Sequence, residues 1–146
     1  MCLAVYVGSS TELAVRPWAD HPGQFNVELL GDRPGSAEVR RQLAKPYTYD
    51  VGAHTSCACG FEEPKASQPA RFVIDGVDQR RGWTESIEAL SDWLSVSVSS
   101  GDVEILICWE GDESEKPRRR TIRADAIAEV DFRSAQDQPL RLRVHA

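Results

Sequence analysis

The order of apolar and polar positions divides the chain into short segments. Residues 2–7 (CLAVYV) form a continuous apolar run ended by Gly8, the pattern of a buried strand. Ser9, Ser10 and Thr11 are turn-forming, and Glu12–Val15 reads as a second short extended piece before Pro17. Gln24–Leu30 alternates, with Phe25, Val27 and Leu29 on one face and Gly31 at its end, which predicts a strand. Ser36 can cap a helix that places Val39 and Leu43 on a common face. Pro46 forbids its continuation, so that helix has about three turns or fewer.

Tyr47–Val51 alternates again, and Gly52 breaks it. After an octapeptide considered below, residues 62–69 (EEPKASQP) are polar, hold two prolines and read as an exposed loop. Phe72–Ile74 is a brief apolar piece. Thr84 is a suitable N-cap for a helix over Glu85–Val96, in which Ile87, Leu90 and Leu94 recur at helical spacing and Ser86–Trp93 flank the stripe. Val103–Trp109 combines β-branched residues with alternation and predicts a strand. Glu110–Glu115 is an acidic turn, Arg119–Arg123 a strand pairing back across it, and Ala124–Glu129 carries no clear pattern. Leu140–Val144 (LRLRV) alternates as a half-exposed strand, and at a sheet margin its Arg141 and Arg143 would act as edge protection.

These segments follow no regular strand–helix–strand rhythm and contain no internal repeat or dividing linker. They predict a single α+β domain over residues 1–146, with a mainly antiparallel sheet and two helices. The chain's 146 residues suffice to bury a core without staples.

Charge narrows the partners. A formal net charge of −6 disfavours non-specific binding to nucleic acid or an anionic membrane, so neither is expected as a partner. The one basic run, Lys116-Pro117-Arg118-Arg119-Arg120, directly follows Glu110, Asp112, Glu113 and Glu115. A solvated hairpin pairing the two runs accounts for it more simply than phosphate contact does. The apolar start lacks the basic flank of a signal peptide, and no run approaches the ~20 apolar residues of a membrane span. The expected location is the cytoplasm, as a monomer or homodimer. There, four cysteines are expected as free thiols or metal ligands rather than structural disulfides.

The chemistry concentrates in HTSCACGF, residues 54–61. In a strand, Cys57, Cys59 and Phe61 share a face, and the two thiols lie about 6.6 Å apart along it. A modest bend would bring both within the ~2.3 Å zinc–sulfur distance of one metal. His54 has the opposite parity and joins only through a turn at Thr55–Ser56. Cys2 would arrive by sheet pairing. Cys2, His54, Cys57 and Cys59 would together form a three-sulfur, one-nitrogen zinc site. The competing readings are plain burial of cysteine as a small hydrophobe, with no cofactor, and thiol chemistry.

In the thiol reading, Cys2, Cys57 or Cys59 serves a hydrolase or redox reaction. The Met1-Cys2 opening is similar to that of amidohydrolases with an N-terminal cysteine nucleophile, but 146 residues are few for their two-sheet sandwich. Cys108 reads as core or subunit packing. His21 and His145 read as exposed, and Trp18, Trp83, Trp93 and Trp109 as core or interface aromatics. Phosphate-binding glycine loops, HExxH and GxSxG are all absent from the sequence.

Three pieces together, Met1–Val7, His54–Phe61 and Cys108–Asp112 (CWEGD), resemble a group of short, uncharacterised bacterial proteins. The resemblance implies no activity. It draws attention to Cys2, His54, Cys57, Cys59 and the Trp109–Asp112 turn. The leading expectation is a non-enzymatic domain that binds a protein partner, its Cys/His cluster being buried structure or a zinc site.

Overall fold

In a computed structural model of the chain, residues 2–69, 73–74 and 76–146 are described. Eight strands and two α-helices follow one another: β1 (Leu3–Ser9), β2 (Asn26–Leu29), α1 (Ser36–Leu43), β3 (Tyr47–Gly52), β4 (Val73–Ile74), β5 (Val77–Asp78), α2 (Gln79–Ser97), β6 (Val103–Trp109), β7 (Arg118–Arg123) and β8 (Leu140–His145). Phe72, at the head of the apolar piece before Gly76, lies outside the described residues. Six strands form one sheet in the order β2-β3-β1-β6-β8-β7, and β4 pairs with β5 separately. Every pairing is antiparallel except β7 with β8. The architecture is α+β.

The continuous apolar run at the start is explained by β1's central place, where all seven residues are buried. Leu3, Val5 and Val7 face the main core with Ile105, Ile107, Leu140 and Leu142, and Ile87, Leu90 and Leu94 of α2 join that core. Ala4 and Tyr6 face the opposite side and pack with Leu106, Cys108, and Val39 and Leu43 of α1. One helix thus packs on each face, and α1, at eight residues, is short. No helix among the described residues is long and apolar enough to cross a membrane.

Three local expectations are corrected. First, α2 begins at Gln79 rather than after Thr84. The cap is Asp78, whose carboxylate accepts the backbone N–H groups of Arg80 and Arg81 at 3.1 Å. Thr84 instead donates its hydroxyl to the Arg80 carbonyl within the helix.

Second, the acidic turn and the basic run form no hairpin. β7 pairs forward with β8, in parallel, with Arg119 beside Arg141. Parallel neighbours need a crossover, supplied here by 3-10 turns over Ala124–Glu129 and Phe132–Gln136. Because β8 lies between β6 and β7, Arg141 and Arg143 are on an interior strand.

Third, Ala58–Phe61 is a 3-10 turn and not part of a strand. The chain reverses just before it: Ser56 has φ +67°, its N–H donates to the Ala53 carbonyl, and the Ala53 N–H donates to the Cys57 carbonyl.

Candidate functional site

The reversal at Thr55–Ser56 turns the His54 ring toward α2, although His54, Cys57 and Cys59 all line one cavity. His54 is buried and held against α2. Its backbone N–H donates to the Ser86 hydroxyl at 3.0 Å. Nδ1 lies 3.2 Å from the same hydroxyl, and Nε2 lies 3.1 Å from Gln79 Oε1. Gln79 Nε2 donates to the Val77 carbonyl, so its Oε1 faces the imidazole as an acceptor. This network assigns the proton to Nε2 and lets Nδ1 accept from Ser86.

Two glycines make room for the ring. A Cβ on Gly60 would stand 2.9 Å from Nδ1 and Cε1, and one on Gly82 would stand 2.6 Å from Nε2. Gly82 is inside α2, where glycine costs helix stability, and this contact explains its presence. Both ring nitrogens are therefore engaged, and the ring is gripped on its flanks.

The 3-10 turn places Cys59 against β1. Its sulfur accepts the Leu3 N–H at 3.3 Å. Burial, and then a hydrogen bond with the Cys57 thiol, push the Cys59 thiol up to about 12, with a smaller contribution from Cys2. Cys57 lies 3.6 Å from the Thr55 hydroxyl. Cys2, Cys57 and Cys59 are half-buried and free, while Cys108 is fully buried and lines the α1 side of the sheet. Among the described residues, no group of three or more His, Cys, Asp or Glu side chains is placed to hold a metal. The tetrahedral set Cys2–His54–Cys57–Cys59 is thus not preassembled. The imidazole is held against α2 and the Cys59 thiol against β1.

Beside the thiols is a cavity of about 350 Å³, with Cys57, Cys59, Ile74, Gln79, Trp83 and Arg133 among its walls. A second cavity, of about 470 Å³, is walled by Phe61, Trp83, Ile87, Val130 and Phe132. Glu63, Pro64, Lys65, Trp83 and Arg133 line both, so the two form one cleft divided by the 63–65 segment. That segment is latched from below. Arg133 donates to the Glu62 carboxylate at 3.1 Å and to the Glu63 carbonyl at 3.3 Å. Arg80 donates to the Pro64 carbonyl, and Trp83 Nε1 to the Phe61 carbonyl. At the cleft's edge, Val73 and Ile74 are exposed apolar residues on the β4–β5 hairpin.

Sequence reading placed Trp83 among the aromatics and missed Gln79, Ser86 and Arg133. The one available signal was the glycine at 82, a residue that a helix accepts only for a reason.

The Trp109–Asp112 turn lies against the other face of the sheet. The Glu110 N–H donates to the Cys2 carbonyl at 2.9 Å, which ties this turn to the start of β1. Glu113, just beyond, is buried; its carboxylate accepts from the Tyr6 hydroxyl at 3.3 Å and from the Gly111 N–H at 2.9 Å. Arg33 reaches the same hydroxyl at 3.4 Å and pairs with Asp50 at 2.7 Å. Burial raises the Tyr6 phenol and the Asp50 carboxyl, and Arg33 opposes both shifts. Tyr6, Arg33, Gly111 and Glu113 of this network line a cavity of about 480 Å³.

No protein-family model, no curated protein and no solved structure matches this chain.

Proposed function

We propose that the chain is a non-enzymatic binding domain that takes a segment of a protein partner into the cleft divided by residues 63–65. In this reading the Cys2, His54, Cys57 and Cys59 cluster is buried structure that shapes one wall. The observation that carries the reading is the contrast between the cluster and the cleft. His54 has both ring nitrogens occupied, so it offers no free base to a thiol. Cys59 is held protonated well above neutrality, the opposite of an activated nucleophile. The cleft beside them instead presents half-buried Trp83 and exposed Ile74, with Lys65, Glu63 and Arg133 at its rim. Apolar side chains with charged edges suit a polypeptide segment.

The test is selection of peptides from a displayed library on the whole chain, followed by titration against Ile74→Asp. Ile74 is exposed, so this change leaves the fold intact while placing a charge at the cleft. The expected outcome is a selected peptide whose affinity falls about tenfold or more in the variant. Selection of nothing sensitive to Ile74→Asp would overturn the reading. So would stoichiometric zinc in untagged protein that is lost in Cys57→Ser and Cys59→Ser, or rapid alkylation of one cysteine at neutral pH.

A further inference from the structure

The face of the sheet that α1 packs against is only partly covered. Leu106 and Cys108 lie beneath the helix, but the same face continues across β8 and β7 without a layer above it. Strand parity puts Glu104, Arg141, Arg143, Arg119 and Thr121 there, because Ile105, Leu142 and Ile122 point into the opposite core. These side chains line a groove of about 340 Å³. Three arginines against one glutamate gather on this face, on a chain whose net charge is −6, while Arg120 shares the parity of Ile122 and belongs to the opposite face.

Edge protection does not account for this arrangement. A charged guard belongs on the marginal strand, and β7 is the margin. Arg141 and Arg143 are one strand inside it. The parallel register sets Arg119 directly beside Arg141, whose charge Glu104 offsets, so Arg119 and Arg143 are the guanidinium groups on this face with no close counter-charge among the described residues.

The guanidinium groups differ in how they are held. Arg141 is fixed by Glu104, whose Oε2 accepts from Nε at 2.7 Å and from the terminal nitrogen at 2.5 Å. Arg143 approaches Asp102 only to 3.9 Å. Arg119 and Arg120 are exposed and have no side-chain partner among the described residues. The Thr121 hydroxyl, on the same face, is a further donor. The groove thus has one preorganised fork, two adjustable ones and a hydroxyl, a donor set suited to a tetrahedral oxyanion.

We propose that this groove binds the phosphate group of a small phosphomonoester, through Arg119, Arg141 and Arg143 with Thr121 at its margin. A dianionic phosphate placed beside Arg119 and Arg143 supplies the counter-charge that these two groups lack, with Arg141 held in place beside them by Glu104. The chain's overall acidity selects for a compact ligand, because a long polyanion leaving the groove would run over negative surface. The site is independent of the cleft at residues 63–65.

Calorimetric titration of the whole chain at low ionic strength tests this, with inorganic phosphate and phenyl phosphate as probes. The expected result is saturable binding of one phosphate per chain, tighter for phenyl phosphate, and weakened about tenfold or more in Arg119→Ala/Arg143→Ala. Both arginines are exposed, so the variant folds. Arg41→Ala, an exposed arginine on α1, serves as the control and leaves binding unchanged. Binding of inorganic phosphate alone identifies free phosphate as the ligand and rejects the monoester. Absence of saturable binding, binding insensitive to the double variant, or tighter binding of a single-stranded oligonucleotide with a steep salt dependence each overturns the proposal.

Discussion

The grip on His54 is the residue-scale feature with the clearest energetic signature. Gly82 has two opposed effects: glycine in a helix interior costs about 0.5–1 kcal/mol relative to alanine, yet any Cβ there would press on the imidazole. Overpacking of this kind costs about 1–3 kcal/mol, so it outweighs the propensity gain. Gly82→Ala is therefore expected to destabilise the protein. In a His54→Ala background, with the ring removed, the same change should become neutral or stabilising by up to about 1 kcal/mol. A double-mutant cycle by urea unfolding measures this. Equal effects of Gly82→Ala in the two backgrounds would show that the ring does not govern position 82.

At the scale of elements, the start of α2 links local capping to the site. Asp78 caps the helix, and the next residue, Gln79, holds the imidazole proton. Asp78→Ala should cost about 1 kcal/mol and fray the first helical turn. The His54 resonances should then shift, and amide exchange should quicken at Gln79–Arg81 while the core of α2 stays protected. Unchanged exchange there would disconnect the cap from the site.

This helix start also shows what could be read from the chain and what could not. The strands β1, β6 and β8 and the helix α1 were legible because each places its own apolar residues at a strand or helix period. Residues 79–84 (QRRGWT) carry no such stripe, so only the cap at Asp78 and the tertiary contact at Gly82 reveal the helix there. Cys57 and Cys59 do meet, with a hydrogen bond between their thiols, but through a turn and not along a strand, for a related reason. A left-handed Ser56 followed by one 3-10 turn leaves no periodic trace, yet it decides where His54 and the thiols point. The partnership of β7 was illegible because charge complementarity pointed to the acidic turn. The hydrophobic face of β7 consists of a single buried residue, Ile122.

For the whole molecule, the buried thiols set an alkaline limit. Cys59 and Cys108 are pushed from an ordinary 9.0 to about 12, mainly by burial, with Cys57 reinforcing the shift at Cys59 and Glu113 at Cys108. Above pH 9 the unfolded chain releases these protons while the folded chain keeps them. Their contribution to stability is thus complete below pH 9 and declines as the pH rises toward 12. Urea midpoints measured across this range should fall, and fall less steeply in Cys108→Ala. A slope unchanged by that substitution would place the alkaline sensitivity elsewhere, with Tyr6 the next group to examine.

The parallel pairing of β7 with β8 also has a consequence for biosynthesis. During translation β7 emerges before β8, but its only place in the sheet is on β8's outer edge. Until residues 140–145 have left the ribosome, β6 has a bare edge and β7 has nothing to dock on. The other margin repeats the pattern earlier in the chain, where β3 inserts between β1 and β2 after both have been made. Completion of the sheet is therefore a late step, one that inserts β8 between two segments already made, and it coincides with assembly of the arginine groove.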